Sequence, residues 1–126
     1  MSFDIAGLLP PRAKCVAELG CGRGEAGAAF LRMQPEADYW GFATDPGEAR
    51  EAAQRLPHAC CLQPGSLDFA ALGLYRADAV ALRGPYLSLL RQEGGLRPLA
   101  DLLTEEGQLL VEMPNPAYLP GVLRDR

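Results

Sequence analysis

The chain has 126 residues, a hydrophobic content of 48% and a formal net charge of −4, which together are typical of one globular domain. It has 12 Lys and Arg against 16 Asp and Glu and no basic run, so nucleic-acid binding through a basic face is disfavoured. The sequence contains neither an apolar stretch of membrane-spanning length nor a signal-peptide pattern. We therefore expect a single cytoplasmic domain over residues 1–126, with no membrane partner.

The cysteines give no sign of a metal site or a disulfide framework. Cys15, Cys21, Cys60 and Cys61 form no CxxC pair, and the last two are adjacent. We expect small buried thiols in a reducing compartment.

Strand-like and helix-like segments alternate along the chain. Residues 2–14, with apolar Phe3 and a Pro10-Pro11 stop, predict a partial helix at the edge of the domain. Short apolar runs predict strands at Cys15–Leu19, Tyr39–Thr44, His58–Leu62, Ala77–Leu82 and Gln108–Met113. The segments between them predict helices at Gly24–Met33, Asp45–Leu56, Ser66–Leu74 and Gly95–Gly107.

This alternation is typical of a parallel sheet with helices on both faces. In such sheets ligands bind beyond the carboxyl ends of the strands. His58 lies at the start of the third strand, so we do not expect it to act as a catalytic base. Asp45 precedes Pro46 and is a candidate N-cap of the second helix.

The loop after the first strand has the sequence GCGRG, with Glu18 two residues ahead of Gly20. Glycines there permit a tight turn and a close approach of backbone to a ligand. Gly22, Gly24 and Gly27 also satisfy the GxGxxG dinucleotide pattern, and Asp45 follows at the distance of a ribose-binding acid. Two features argue against a dinucleotide. The first glycine after the strand is Gly20, so a GxGxxG pattern that begins at Gly22 starts too late in the loop. Glu18 would also repel a pyrophosphate, whereas it would favour a ligand ammonium.

The segment ELGCGRGE resembles motif I of the class I S-adenosylmethionine-dependent methyltransferases, in which an acid and alternating glycines follow strand 1. The similarity runs from LLPPRAKCVAELGCG to LLTEEGQLLVEMPNP and is closest to the methyltransferase domains of O-antigen and other glycan biosynthesis. It implies a Rossmann-like three-layer α/β domain with strand order 3-2-1-4-5. It also implies that the last two strands of the family are missing, since the chain stops soon after strand 5.

The resemblance further implies a site for S-adenosylmethionine. Glu18 would lie near the ammonium of the methionine moiety, the amides of Gly20 to Gly24 would contact its carboxyl group and the ribose, and Leu67 would pack on the adenine. The expected cofactor-binding residues all lie at or after the carboxyl end of a predicted strand: Glu18, Gly20, Cys21, Gly22, Gly24, Asp45, Ser66, Leu67 and Arg83. No catalytic residue and no metal ligand is assigned.

The sequence departs from the family pattern at three places. The acid that binds both ribose hydroxyls corresponds to Ala43, and the Asp that recognises the adenine amino group corresponds to Ser66. After strand 4, many family members have an acid and a Leu-Glu-His near the acceptor, whereas this chain has LRGPYLSLL. Within that segment, Tyr86 is predicted to pack against a helix. Asp45 is the candidate substitute for the missing ribose acid.

These observations favour a methyltransferase that acts on a small-molecule or glycan acceptor. The alternatives are a degenerate, non-catalytic methyltransferase fold that binds or assembles, and a nicotinamide-dependent reductase. Strand 5 would form an open edge, which predicts a homodimer unless the tail AYLPGVLRDR covers that edge.

Overall fold

A computed structural model of the chain describes residues 5–113. Within this range one sheet is formed by β1 (Cys15–Leu19), β2 (Asp38–Ala43), β3 (His58–Cys61), β4 (Ala77–Leu82) and β5 (Leu103–Val111). The strands lie in the order β3-β2-β1-β4-β5, and every neighbouring pair is parallel. The predicted strand order is therefore confirmed.

Helical segments cover both faces of this sheet. They are α1 (Glu25–Met33), α2 (Pro46–Ala52), α3 (Arg97–Leu102) and the 3-10 helices Ile5–Gly7, Ala70–Leu72 and Gly84–Arg91. Successive side chains of a strand point to opposite faces, so β1 contributes to two cores. Val16 packs in the core that contains Phe30 of α1, whereas Leu19 packs in the core that contains Leu99 of α3. The expected three-layer α/β architecture is confirmed.

The start of α2 agrees with its sequence signal. Asp45 is the N-cap, and its carboxylate accepts a hydrogen bond from the backbone amide of Glu48 at 2.9 Å. Pro46 occupies the first turn, where its missing N–H costs nothing. The predicted N-cap role of Asp45 is thus confirmed.

The predicted helix over Gly95–Gly107 is too long. The helix α3 ends at Leu102, and the residue after it, Leu103, is already extended and pairs with Ala77 of β4. The register then shifts, because Ala79 of β4 pairs with Gln108. The TEE segment, residues 104–106, lies within this register shift and is extended because the residues on both sides of it pair with β4. Pro98 lies near the start of α3 rather than breaking it.

The cysteines are less uniformly buried than predicted. Cys21 is buried, Cys15 and Cys60 are partly buried, and Cys61 is exposed because it is the last residue of the edge strand β3. All four are free thiols. The expectation of a buried thiol is wrong for Cys61.

No helix within residues 5–113 has the length and apolar character needed to span a membrane. Two predictions lie outside the described residues: the contribution of Phe3 to the N-terminal helix, and the tail AYLPGVLRDR as a cover for the sheet edge.

Candidate functional site

The glycine loop joins β1 to α1 at the carboxyl edge of the sheet. Its three glycines all have positive φ values, of 101° at Gly20, 55° at Gly22 and 89° at Gly24. Residues with a side chain rarely adopt this left-handed backbone, and no other residue type within 5–113 does so. The alternation of glycine in the sequence therefore follows from the backbone path of the loop.

Packing adds a second requirement at Gly20. A Cβ there would lie 2.4 Å from the backbone oxygen of Arg83, which follows β4. Gly24 packs against α2, with the Cα of Ala52 3.2 Å from its would-be Cβ. At Gly22, by contrast, no described atom lies within 4 Å of the position that a Cβ would take. Gly20 thus brings the loop close to the end of β4.

The loop amides are only partly available to a ligand. The amides of Gly20 and Cys21 donate to the backbone oxygen of Phe42 at 2.8 and 3.0 Å, and the amide of Gly24 donates to Cys21 at 2.9 Å. Among the described hydrogen bonds, none engages the amide of Gly22 or Arg23. These two amides are the donors that the loop can offer to an anionic group.

Glu18 is the penultimate residue of β1, two residues before the first glycine of this loop, and its side chain is 0% exposed. A buried carboxylate needs hydrogen-bond partners, and each of its oxygens has one. The hydroxyl of Tyr39 donates to Oε1 at 2.7 Å, and Nη1 of Arg83 donates to Oε2. Glu18 is therefore satisfied within the protein.

The guanidinium of Arg83 also contacts a second carboxylate. Its Nε donates to Oε1 of Glu112 at 2.9 Å, and its Nη2 lies 3.5 Å from the other oxygen of Glu112. The side chains of Arg83 and Glu112 are 20% and 22% exposed. We call this set of three residues, Glu18, Arg83 and Glu112, the acid–arginine–acid cluster.

Strand register explains why these three side chains meet. Glu18 pairs with Ala81 of β4, and Arg83 lies two residues beyond Ala81, so both side chains share one face of the sheet. Leu82 pairs with Val111 and accepts a hydrogen bond from the amide of Glu112, which places Glu112 beside Arg83. Glu112 was not among the site residues expected from the sequence. The sequence feature that could have identified it is an acid near the end of a predicted strand that is otherwise mostly apolar.

Burial and the contacts between charged groups have opposite effects on the pKa values of Glu18 and Arg83. Burial raises the pKa of Glu18, although Tyr39 and Arg83 stabilise its charged form. Burial alone would lower the pKa of Arg83, but its contacts with Glu112 and Glu18 raise it. Burial and the charge of Glu18 raise the pKa of Cys21 to about 12, so the loop thiol is protonated at neutral pH.

Asp45 and Ser66 also lie at the carboxyl edge. The amide nitrogen of the Gln63 side chain donates to the backbone oxygen of Thr44 at 3.0 Å, which ties the loop after β3 to the loop after β2. Ser66 closes a turn with Gln63, and both Ser66 and Asp45 are exposed. Their roles in cofactor binding remain predictions.

The side chain of Leu67 lies elsewhere. It lines a cleft of about 500 Å³ between the segment that precedes β4 and helix α3, together with residues such as Tyr75 and Arg97. None of the residues that line this cleft belongs to the glycine loop. The cleft that Leu67 lines is therefore separate from the glycine loop. Packing of Leu67 on the adenine stays a prediction.

Three further residues have the positions that their sequence context indicated. Ala43 ends β2 and is 1% exposed, so no carboxylate stands there. Tyr86 is buried, and its hydroxyl donates to the backbone oxygen of Leu62. His58 lies at the amino end of β3, where its Nε2 contacts Asp38 at 2.8 Å, away from the carboxyl edge.

Comparison with known proteins agrees with the fold described above. The trans-aconitate 2-methyltransferase of Methylobacterium nodulans is 34% identical over 101 residues, a match that covers 79% of this chain and 38% of the relative. The plantazolicin methyltransferase BpumL, solved with S-adenosylhomocysteine, has a TM-score of 0.61 at 16% identity, with 86% of this chain and 42% of that chain covered. No protein-family model matches the sequence.

A second solved structure is the O-methyltransferase of a polyketide synthase multienzyme from Brevibacillus brevis, in complex with S-adenosyl-L-homocysteine. Its TM-score is 0.64 at 20% identity, and the match covers 79% of this chain and 35% of that chain. The chain has the class I methyltransferase fold. It spans less than half the length of each of these relatives. The class I fold places the glycine loop and Glu18 at the expected ligand edge.

Proposed function

We propose that this chain is the cofactor-binding part of an S-adenosylmethionine-dependent methyltransferase that acts on a small-molecule or glycan acceptor. The observation that carries the proposal is the left-handed glycine loop above a buried acid, at the carboxyl edge of a class I sheet. The free amides of Gly22 and Arg23 suit an anionic group, and the carboxylate of Glu18 suits an ammonium. A methionine moiety carries both groups.

S-adenosylmethionine, when bound, supplies an electrophilic sulfonium methyl group, and transfer of that methyl to an acceptor oxygen leaves S-adenosylhomocysteine and releases the proton of the acceptor hydroxyl. The chain contributes binding and orientation of the reacting groups. Among the described residues, His58 lies at the wrong edge and the hydroxyl of Tyr86 is engaged with Leu62, so neither is assigned as the base that takes the proton.

A second candidate function is a non-catalytic binding module with the same fold. Two observations favour it: Ala43 leaves the end of β2 without a ribose acid, and Arg83 covers Glu18. Loss of a charge-assisted hydrogen bond weakens binding by about 1.5–3 kcal/mol, so these features predict a lower affinity than the family pattern implies. The nicotinamide alternative has less support, because Gly27 is explained by packing of α1 on Tyr39 and Leu56.

Calorimetric titration of the chain separates these functions. Binding of S-adenosylmethionine and S-adenosylhomocysteine in the micromolar range, without binding of NAD, is the result expected of a cofactor-binding part. Absence of binding for all three ligands contradicts the proposal and supports the non-catalytic module. Binding of NAD alone supports the reductase.

Asp45 is testable apart from the glycine loop. We expect Asp45→Ala to lower the free energy of unfolding by about 1 kcal/mol, because the cap of α2 is lost. Asp45→Asn keeps a capping oxygen and serves as the matched control. If Asp45 replaces the ribose acid, Asp45→Asn weakens binding of S-adenosylhomocysteine while the urea unfolding midpoint is unchanged. Equal affinity of Asp45→Asn and the unsubstituted chain for S-adenosylhomocysteine would instead limit Asp45 to its role as the cap of α2.

We also propose a homodimer formed through β5, the edge strand next to β4. Support comes from its length of nine residues, since a long edge strand presents unpaired backbone groups. Sedimentation velocity at increasing concentration tests this, and a single monomeric species throughout contradicts it.

A further inference from the structure

We propose that Arg83 is a switch between two carboxylates, and that Glu112 is the positioning residue that lets the cofactor reach Glu18. In the structure Arg83 bridges Glu18 and Glu112. A ligand ammonium must replace Arg83 at Glu18, and Glu112 then holds the displaced guanidinium. This inference rests on the proposed function, because the ligand is the methionine moiety of the cofactor.

The burial of Glu18 requires displacement of a neighbour. Its side chain is 0% exposed, so no ligand atom can contact it while both present partners stay in place. Tyr39 is also 0% exposed and belongs to the core around Phe30. Arg83 is the partner with an exposed surface, of 20%, and it follows β4 rather than lying within a strand. Arg83 is therefore the partner that can move.

Glu112 makes this movement feasible. A guanidinium that left Glu18 without another partner would lose a charge-assisted hydrogen bond in a half-buried position, at a substantial cost. Glu112 already accepts from Nε and lies beside Nη2, so Arg83 keeps these contacts when Nη1 leaves Glu18. The two carboxylates compete for one cation, and the strength of the Glu112 contact sets how readily Glu18 is released.

A binding cycle tests the switch with two probes, S-adenosylhomocysteine and 5′-methylthioadenosine. The first carries an amino-acid group without net charge, and the second lacks that group. We expect Glu112→Gln to weaken binding of S-adenosylhomocysteine about tenfold, because Arg83 then relies on Glu18 for its charged partner. Binding of 5′-methylthioadenosine should be unchanged, since it makes no demand on Glu18.

The same substitution in a Glu18→Gln background supplies the second arm of the cycle. There Arg83 no longer blocks a charged site, so we expect Glu112→Gln to change the affinity for S-adenosylhomocysteine by less than about twofold. Glu106→Gln is the matched control: Glu106 is exposed on β5, and its loss removes the same charge without touching Arg83. Urea unfolding of each variant verifies that it is folded.

The outcomes separate the two proposals. Equal weakening by Glu112→Gln in both backgrounds, weakening of both probes, or no effect on S-adenosylhomocysteine overturns the switch while leaving the proposed function standing. Failure of the unsubstituted chain to bind either probe overturns the proposed function, and the switch with it.

Discussion

Replacement of Arg83 by methionine is expected to lower the free energy of unfolding by about 3 kcal/mol near pH 8, because it leaves the fully buried carboxylate of Glu18 without its cation. The loss should be smaller near pH 5. Burial already raises the pKa of Glu18, and removal of Arg83 raises it further. The folded protein then binds a proton more tightly than the unfolded chain, so stability is retained at low pH and lost as the pH rises through the folded pKa.

The only tryptophan, Trp40, is 6% exposed and reports unfolding by its fluorescence during urea titration at each pH. The control is Glu18→Gln/Arg83→Met, which has a neutral side chain of similar shape facing Tyr39. Most of the stability lost near pH 8 should return in this double variant, and the pH dependence caused by Arg83→Met should disappear. An equal loss at both pH values would show that packing of Arg83, and not the charge of Glu18, is responsible.

Gly20→Ala is expected to destabilise the chain by about 3 kcal/mol or more. Its φ of 101° is unfavourable for alanine, and the added Cβ would lie 2.4 Å from the backbone oxygen of Arg83. The backbone can relieve this overlap only by moving the loop away from the end of β4. The same movement disturbs Arg83, so binding of S-adenosylhomocysteine should fall together with stability.

Gly22→Ala is the matched control in the same loop. Its φ of 55° lies in the left-handed region, and no described atom lies within 4 Å of the added methyl group. We expect it to cost about 1 kcal/mol, from backbone strain alone. Equal urea midpoints for the two variants would contradict the role assigned to the contact between Gly20 and Arg83.

Much of the fold was predictable from local patterns. Apolar runs separated by helical segments predicted β1 to β4 to within one residue at each end, since the central strands β1 and β4 are largely buried on both faces and need apolar residues throughout. The predicted fifth strand, Gln108–Met113, begins five residues after the observed start of β5 at Leu103. The cap at Asp45 was predictable because a side-chain oxygen before Pro46 meets the free amides of a helix start. The boundary between α3 and β5 was not, because pairing of Leu103 with Ala77 joins residues far apart in the chain.

At the candidate site, the glycine loop and the acid before it follow from the local sequence, because positive φ values at Gly20, Gly22 and Gly24 require residues without a side chain. The state of that acid depends on the assembled sheet. Arg83 and Glu112 lie at the ends of other strands, and parallel register, not sequence spacing, brings them to Glu18. An ion pair depends on distance in space and on burial, and neither can be read from the separate segments that contribute its charges.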